Sequence, residues 1–304
     1  MNMNTINQAL TSYKALLDEE LYKRLELFKG IWEIQDRFRI KAAVESEHSI
    51  PDIEEAEKWY WQEKPLLELA PASVDKDVLV AALEELAGYL VDNAGFDKDQ
   101  EEALRALDWR VVVDETDVSL LGRDPFAYAE VFCAQAQEQS GSVIKPEISH
   151  IVLGLAMRPV LEPAASVYLA TLKDAVKKGG IHHDKPLSCP VCGGRATVAL
   201  VGDTPSIQGV GRLLYCGACS AEWEFERIRC GRCGTRNQGH LHYYHIGGDD
   251  AHRLHVCDEC GEYLRTVFQD DLDAPLSFEV EDLVMVPLDM IASDPQFKQK
   301  TVKE

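Results

Sequence analysis

The apolar residues Tyr13, Leu17, Leu21, Leu25, Phe28 and Trp32 recur at intervals of four and three, the spacing that lines side chains along one face of an amphipathic α-helix. Leu79, Leu83, Leu86 and Leu90 repeat the pattern, with Ser73 as the expected N-cap and Asn93 with Gly95 as the stop. A further helix is expected to open at Ser149 and to end or kink at Pro159. Another should start at Pro163 and run through Tyr168 and Leu172 to Lys177, Lys178, Gly179 and Gly180. The first half therefore reads as an all-α bundle. Lys178 to Ser188, with two glycines and Pro186, predicts a linker. After it, Trp223, Phe225, Tyr243 and Tyr244 lie in short alternating runs that suit hairpin strands. The last segment, with Leu283, Val286, Leu288, Met290 and Ile291, predicts a short helix or apolar strap, and Pro287 argues against a straight helix there.

These textures predict a multidomain chain: a helical bundle over residues 1–180, two tandem rubredoxin-like or zinc-ribbon β modules over 181–229 and 230–275, and a tail over 276–304 that packs back on the helical part. A length of 304 residues suits more than one core. The 46% hydrophobic content is too high for a disordered chain. Met1 to Leu16 lacks the basic patch and apolar run of a secretory signal. The longest apolar stretch, Ile151 to Leu172, is interrupted by Arg158, Pro159, Glu162 and Pro163, so no membrane insertion is expected.

The net charge of −21 is unevenly placed. Between Cys189 and Arg265 there are eight arginines, no lysine and nine acidic residues, a net of −1, so the helical half and the tail carry the other −20. Neither part offers the basic stripe that a phosphate backbone needs, and no nucleic-acid partner is expected.

Eight of the nine cysteines form four Cys-x-x-Cys pairs: Cys189 with Cys192, Cys216 with Cys219, Cys230 with Cys233, and Cys257 with Cys260. The second two pairs follow the first two at a constant offset of 41 residues, and Gly193 and Gly234, Arg195 and Arg236, Arg212 and Arg253, and Leu213 and Leu254 coincide at the same offset. That is an internal repeat of a folding unit. Two cysteines two residues apart place both sulfurs on one side of a tight turn, and a glycine after it, such as Gly193, Gly234 or Gly261, permits positive φ. Two such knuckles supply four thiolates for one tetrahedral ion. Each unit is too small to bury a stabilising core, whereas a structural zinc contributes on the order of 10–16 kcal/mol to a finger peptide. A disulfide framework is the weaker expectation, because four loops closed within their own pairs staple little chain. Ligation within each repeat is expected, with a crossed pairing of knuckles one and three left open. Four thiolates in a tetrahedron accept iron or zinc alike.

The remaining chemistry is sparse. His240, His242, His245, His252 and His255 cluster in the second repeat only, and with four sulfurs already present they are expected on the hairpin surface. His182 and His183 fall in the linker, and Cys133 reads as a small buried apolar residue. Trp223 and Phe225 are expected to serve a miniature core. Arg227, Arg229, Arg232 and Arg236, which follow Glu222, Glu224 and Glu226, are expected to be solvated hairpin charges. No phosphate loop, nucleophile elbow or His-Glu-x-x-His motif occurs, so no enzymatic activity is expected.

The runs Cys189-Pro-Val-Cys-Gly, Leu214-Tyr-Cys-Gly-Ala-Cys-Ser-Ala-Glu-Trp, Ile228-Arg-Cys-Gly-Arg-Cys-Gly and Val256-Cys-Asp-Glu-Cys-Gly-Glu-Tyr-Leu together resemble the formate dehydrogenase accessory protein family, the FdhE family. The tail Glu281-Asp-Leu-Val-Met-Val-Pro-Leu-Asp-Met resembles the family's carboxyl end, and Leu25 to Ala42 and Pro159 to Leu172 match less specifically. The resemblance implies a cytoplasmic bacterial assembly protein that binds the catalytic subunit of respiratory formate dehydrogenase. It also implies two iron ions in rubredoxin-type sites, with zinc as the alternative. Position by position, it carries over the eight paired cysteines and no catalytic residue. Homodimerisation is left open, and Met1 to Glu20 matches no family feature. The competing expectations are a rubredoxin-type electron carrier and a zinc-ribbon nucleic-acid module.

Overall fold

A computed structural model describes residues 1–45, 49–179, 184–204 and 209–294. His182 and His183, the end of the expected linker helix at Gly180, and the tail after residue 294 lie outside the described residues.

The helical region is built from α1 (Met3–Tyr13), α2 (Glu19–Glu45), α3 (Ile53–Trp61), α4 (Leu66–Leu69), α5 (Lys76–Asn93), α6 (Lys98–Ala106), α7 (Trp109–Asp114), α8 (Val118–Arg123), α9 (Pro125–Gln139) and α10 (Pro146–Gly179). Much of its acidity has a local purpose. Asp52, Asp75, Asp97, Asp108, Asp117 and Asp124 each accept backbone N–H groups at a helix start. A carboxylate there satisfies donors that have no intrahelical partner and complements the positive end of the dipole. The helix over Leu79 to Leu90 is thus capped by Asp75, two residues beyond the expected Ser73, and stops at Asn93 with Gly95 at a φ of 71°.

Two expectations for this region are corrected. The Tyr13 to Trp32 stripe is not one helix, because the chain breaks between α1 and α2 and both pieces bury their apolar faces, Tyr13 on the first and Leu25 and Trp32 on the second. The helix expected to open at Ser149 and end or kink at Pro159 and the helix expected to start at Pro163 are one, since α10 runs through both prolines for 34 residues. The carbonyl of Leu155, which Pro159 cannot serve, instead accepts the Nε2 of buried Gln35 at 2.8 Å. By length and composition Pro146–Lys173 is apolar enough to cross a membrane, but 67% of its most apolar window is buried inside the protein. It is the central helix against which α2, α5 and α9 pack.

Beyond the helices lie β1 (Val198–Asp203), β2 (Val210–Tyr215), β3 (Glu222–Phe225), β4 (Leu241–His245), β5 (His252–Cys257) and β6 (Tyr263–Phe268). Each repeat forms an antiparallel three-stranded ribbon, and the ribbons fuse where β1 pairs in parallel with β6, Val198 opposite Arg265 through Val201 opposite Phe268. The result is one six-stranded sheet in the order β3-β2-β1-β6-β5-β4.

Strand alternation gives this sheet two buried faces. Ala199, Leu214 and Leu264 join the core of the helical region, whereas Val198, Leu200, Leu254, Val256 and Val267 pack with Phe278, Met285 and Leu288 of the tail. The tail forms α11 (Phe278–Val284) and α12 (Val286–Ser293), with Pro287 in the first turn of the second, where its missing N–H costs nothing. Val280, Leu283 and Val284 return to α1 and α2.

Candidate metal centres

The four knuckles share one backbone design. The residue four past the first cysteine donates its N–H back to that cysteine's carbonyl: Gly193 to Cys189 at 2.9 Å, Ser220 to Cys216 at 2.9 Å, Gly234 to Cys230 at 3.1 Å and Gly261 to Cys257 at 2.9 Å. The first cysteine's own N–H reaches a carbonyl five residues on, to Gly194 at 2.7 Å, Ala221 at 2.9 Å, Thr235 at 2.9 Å and Glu262 at 3.0 Å. Closing that ring puts the fifth residue in the left-handed region, at 77° for Gly193, 60° for Ser220, 80° for Gly234 and 71° for Gly261. Three of the four positions are glycine, which carries no penalty there. Ser220 is the exception. Its hydroxyl accepts from Arg158 Nε at 2.9 Å and donates to Glu162 Oε2 at 2.9 Å.

The sulfurs gather by repeat. Cys189, Cys192, Cys216 and Cys219 form one group and Cys230, Cys233, Cys257 and Cys260 the other, each with all its sulfur atoms within 4.8 Å. The crossed arrangement left open by the sequence does not occur. Sγ separations are 3.6 Å for Cys189 to Cys219 and 3.5 Å for Cys192 to Cys216 in the first group, and 3.9 Å for Cys230 to Cys260 and 3.8 Å for Cys233 to Cys257 in the second. A tetrahedron with metal–sulfur bonds of about 2.3 Å has edges of about 3.8 Å. All nine cysteines are free thiols, and the two groups of four can each hold a metal ion.

Electrostatics favour a cation at both. In the first group burial raises the Cys189 thiol well above its usual range, while hydrogen bonds from Cys189, Cys192 and Cys219 lower Cys216. Four packed sulfurs cannot all ionise without a positive charge among them. In the second group burial opposes ionisation of Cys230, but the N–H groups of Cys233 and Arg232 outweigh it and the thiol is lowered. Burial pushes Cys257 up to about 11. Arg212 is fully buried, and its Nε and Nη2 find no hydrogen-bond partner among the described residues. Cys230 attracts this cation, so a negatively charged metal–thiolate group would compensate it.

The surroundings of the two groups differ. The first is absorbed into the core of the helical region: Cys189, Cys192, Cys216 and Cys219 belong to the same apolar cluster as Leu66, Leu67 and Ala156. The first N–H groups of α4 donate into its knuckle, Leu66 to the Pro190 carbonyl at 2.9 Å and Leu67 to the Val191 carbonyl at 3.0 Å. Gly194 has no side chain because a Cβ there would meet the Phe126 ring at 2.7 Å. Arg158, noted in sequence only as an interruption of an apolar run, reaches Tyr215 Oη at 2.7 Å and pairs with Glu279 of the tail. It thereby joins α10, the first ribbon and α11. Nothing local in the sequence marks this node, since its members are 57 and 121 residues from Arg158.

Several polar expectations are also corrected. Arg229 is buried and donates to the carbonyls of Lys185 at 2.7 Å and Gly234 at 3.2 Å, and Arg232 donates to those of Tyr263 at 2.9 Å and Ala196 at 3.0 Å. These guanidinium groups fasten loops rather than face solvent. Residues 184–188 of the expected linker are likewise fixed, with Lys185 buried over the Trp61 ring. His240 and His245 are exposed and His242 half-buried, whereas His252 and His255 are buried. His252 bridges Asp249 and Glu281, and His255 stacks on Tyr243 with ring centroids 4.6 Å apart. Cys133 is buried, and that burial raises its thiol. Trp223 and Phe225 lie in the main core, with Trp223 Nε1 donating to the Pro186 carbonyl at 2.9 Å.

A family model described as the FdhE central domain matches residues 188–227, the first ribbon with its four cysteines. Protein FdhE of Escherichia coli O9:H4 (strain HS) is 30% identical over 134 residues, covering 43% of this chain and 42% of that protein. A protein FdhE homolog of Aquifex aeolicus (strain VF5) is 29% identical over 160 residues, covering 51% of this chain and 53% of its own. The alignments thus span about half the length of these curated relatives, or less. In fold the likeness is wider: the crystal structure of the FdhE protein from Pseudomonas aeruginosa superposes with a TM-score of 0.55 at 19% identity, over 96% of this chain and 92% of that one. With the FdhE central domain matched on its first ribbon, FdhE proteins among its sequence relatives and the fold of an FdhE protein over nearly its whole length, the chain resembles the FdhE family.

Proposed function

We propose that this protein is a non-enzymatic, cytoplasmic accessory factor that binds the catalytic subunit of a respiratory formate dehydrogenase and promotes formation of the active enzyme. In this reading Cys189, Cys192, Cys216 and Cys219 ligate one ion, Cys230, Cys233, Cys257 and Cys260 a second, and both ions are iron. The observation that carries it is the pair of four-sulfur groups, spaced for tetrahedral ligation, on a chain of FdhE sequence and fold. The acidic helical surface offers a docking face.

Two measurements test it. Protein purified without oxygen should contain two metal ions per chain and show the thiolate-to-iron absorption of a rubredoxin-type site. Zinc in their place would reassign the metal but keep the ligands. Affinity capture of the tagged full chain from anaerobic cells should recover a formate dehydrogenase catalytic subunit, and its absence would remove the accessory role. The exposed Cys233 supports a second reading, an electron carrier. An iron-loaded sample whose spectrum does not change with oxidant would exclude it.

A further inference from the structure

The duplication has produced two four-sulfur groups with the same knuckles and unlike access. In the first, all four cysteines are buried, none more than 4% exposed. In the second, Cys233 is exposed and Cys260 half-buried. We infer that the two sites have divided their roles: the first ion is a permanent structural lock, and the second site, opening through Cys233 and Cys260, is where metal enters, leaves or meets an outside ligand. This rests on the reading above that each group holds an ion.

The asymmetry goes beyond surface area. Exchange at a tetrathiolate site requires an incoming ligand to reach the ion or one thiolate to swing away. At the first site both routes are closed by other parts of the chain. Its first knuckle is held by the N–H groups of Leu66 and Leu67, and its second by Ser220 between Arg158 and Glu162. Releasing a sulfur there means separating the ribbon from the helical core, an opening close to global unfolding. At the second site the knuckle carrying Cys233 faces outward, and Gly261 and Glu262, just past Cys260, line an open cleft of about 470 Å³ with Arg195, Arg232 and Arg265. Local rotation of one side chain suffices. Arg195, Arg232 and Arg265 stand against Glu262 and Asp289 on this cleft, which is therefore less negative than a chain with a net charge of −21 and favours small anionic chelates of a soft divalent cation as the incoming species.

The experiment uses the full chain loaded anaerobically with cobalt(II), whose thiolate charge-transfer band reports ligation, and challenged with excess EDTA. Two phases of equal amplitude are expected, the first faster by roughly two orders of magnitude because it needs only local opening. Alkylation at the end of the fast phase, read by peptide mass, should label Cys230, Cys233, Cys257 and Cys260 and spare the other group. Ser220→Ala should quicken the slow phase and leave the fast one unchanged, and Cys233→Ser should speed or abolish the fast phase alone. A single phase releasing both equivalents, or early labelling of Cys189 or Cys216, would overturn the division of roles while leaving two-metal ligation intact. Binding of fewer than two equivalents at the outset would instead refute the ligation on which it stands.

Discussion

The side-chain amide of Gln35 donates to the carbonyl of Leu155 at 2.8 Å, the carbonyl that a regular helix would pair with the N–H of residue 159. Because residue 159 is proline, α2 supplies across the bundle the donor that α10 lacks. Replacing Gln35 with leucine should destabilise the protein by about 1 kcal/mol, at the low end of the usual range for orphaning a buried acceptor. The low end applies because Gln35 Oε1 is itself buried without a partner among the described residues and its removal offsets part of the loss. In a Pro159→Ala background the same substitution should cost less, since the helix then makes its own bond. Urea unfolding of the four proteins in this cycle measures the coupling.

Ser220 sets a different balance. Its φ of 60° would suit glycine better, but its hydroxyl joins Arg158 to Glu162. Ser220→Ala keeps the strain and loses both hydrogen bonds, each to a charged partner, and should lower stability by about 2 kcal/mol. Ser220→Gly loses the same bonds but relieves the left-handed conformation, worth about 1 kcal/mol. The glycine variant should therefore melt above the alanine variant and below the parent. A glycine variant that melts above the parent would mean that the hydroxyl contacts contribute little.

The ribbons, read from spacing alone, look like small units that could unfold while the helical part stays folded. The burial of Cys189 and Cys192 among Leu66, Leu67 and Ala156 makes that outcome untenable. The double variant Cys189→Ser with Cys192→Ser should lose part of its helical circular dichroism and unfold at lower urea, whereas Cys230→Ser with Cys233→Ser should leave the helical signal near that of the parent. Equal and small helical losses from both pairs would show that the first site is not part of the helical core.

His252 gives the protein an alkaline sensitivity. Burial alone would lower its pKa, but hydrogen bonds to Asp249 and Glu281, at 2.9 Å and 2.7 Å, raise it to about 9. The folded state therefore holds a proton that the unfolded chain releases near pH 6.5. The resulting stabilisation is complete below pH 6.5 and disappears as the pH rises to about 9, at most about 3 kcal/mol at 1.36 kcal/mol per pKa unit. His255 acts oppositely: burial, with Arg212 and His242 nearby, lowers it to about 3, so its neutral form is favoured and stability falls as the pH drops below 6.5. The urea midpoint of the metal-loaded protein should decline from pH 6.5 to 9, and His252→Gln should flatten that decline. An unchanged slope in the variant would assign the effect elsewhere.

Much of the chemistry was legible in the chain itself. The 41-residue offset established the duplication, its knuckles and the fold class, because the sulfurs of a Cys-x-x-Cys turn are positioned by a few consecutive residues and a local rule suffices. Helix existence was legible for the same reason, through residues three and four apart. What the sequence could not fix was anything depending on partners far along the chain. Pro159 read as the end or kink of a helix until Gln35, 120 residues before Leu155, supplied a bond. Arg229, His252 and His255 read as surface groups until loops and the tail closed over them. Two tetrads with matching local sequence became one buried and one open site only when the helices packed on the first ribbon and not on the outer knuckles of the second. Ligand geometry is a property of a turn, whereas burial belongs to the whole packed chain.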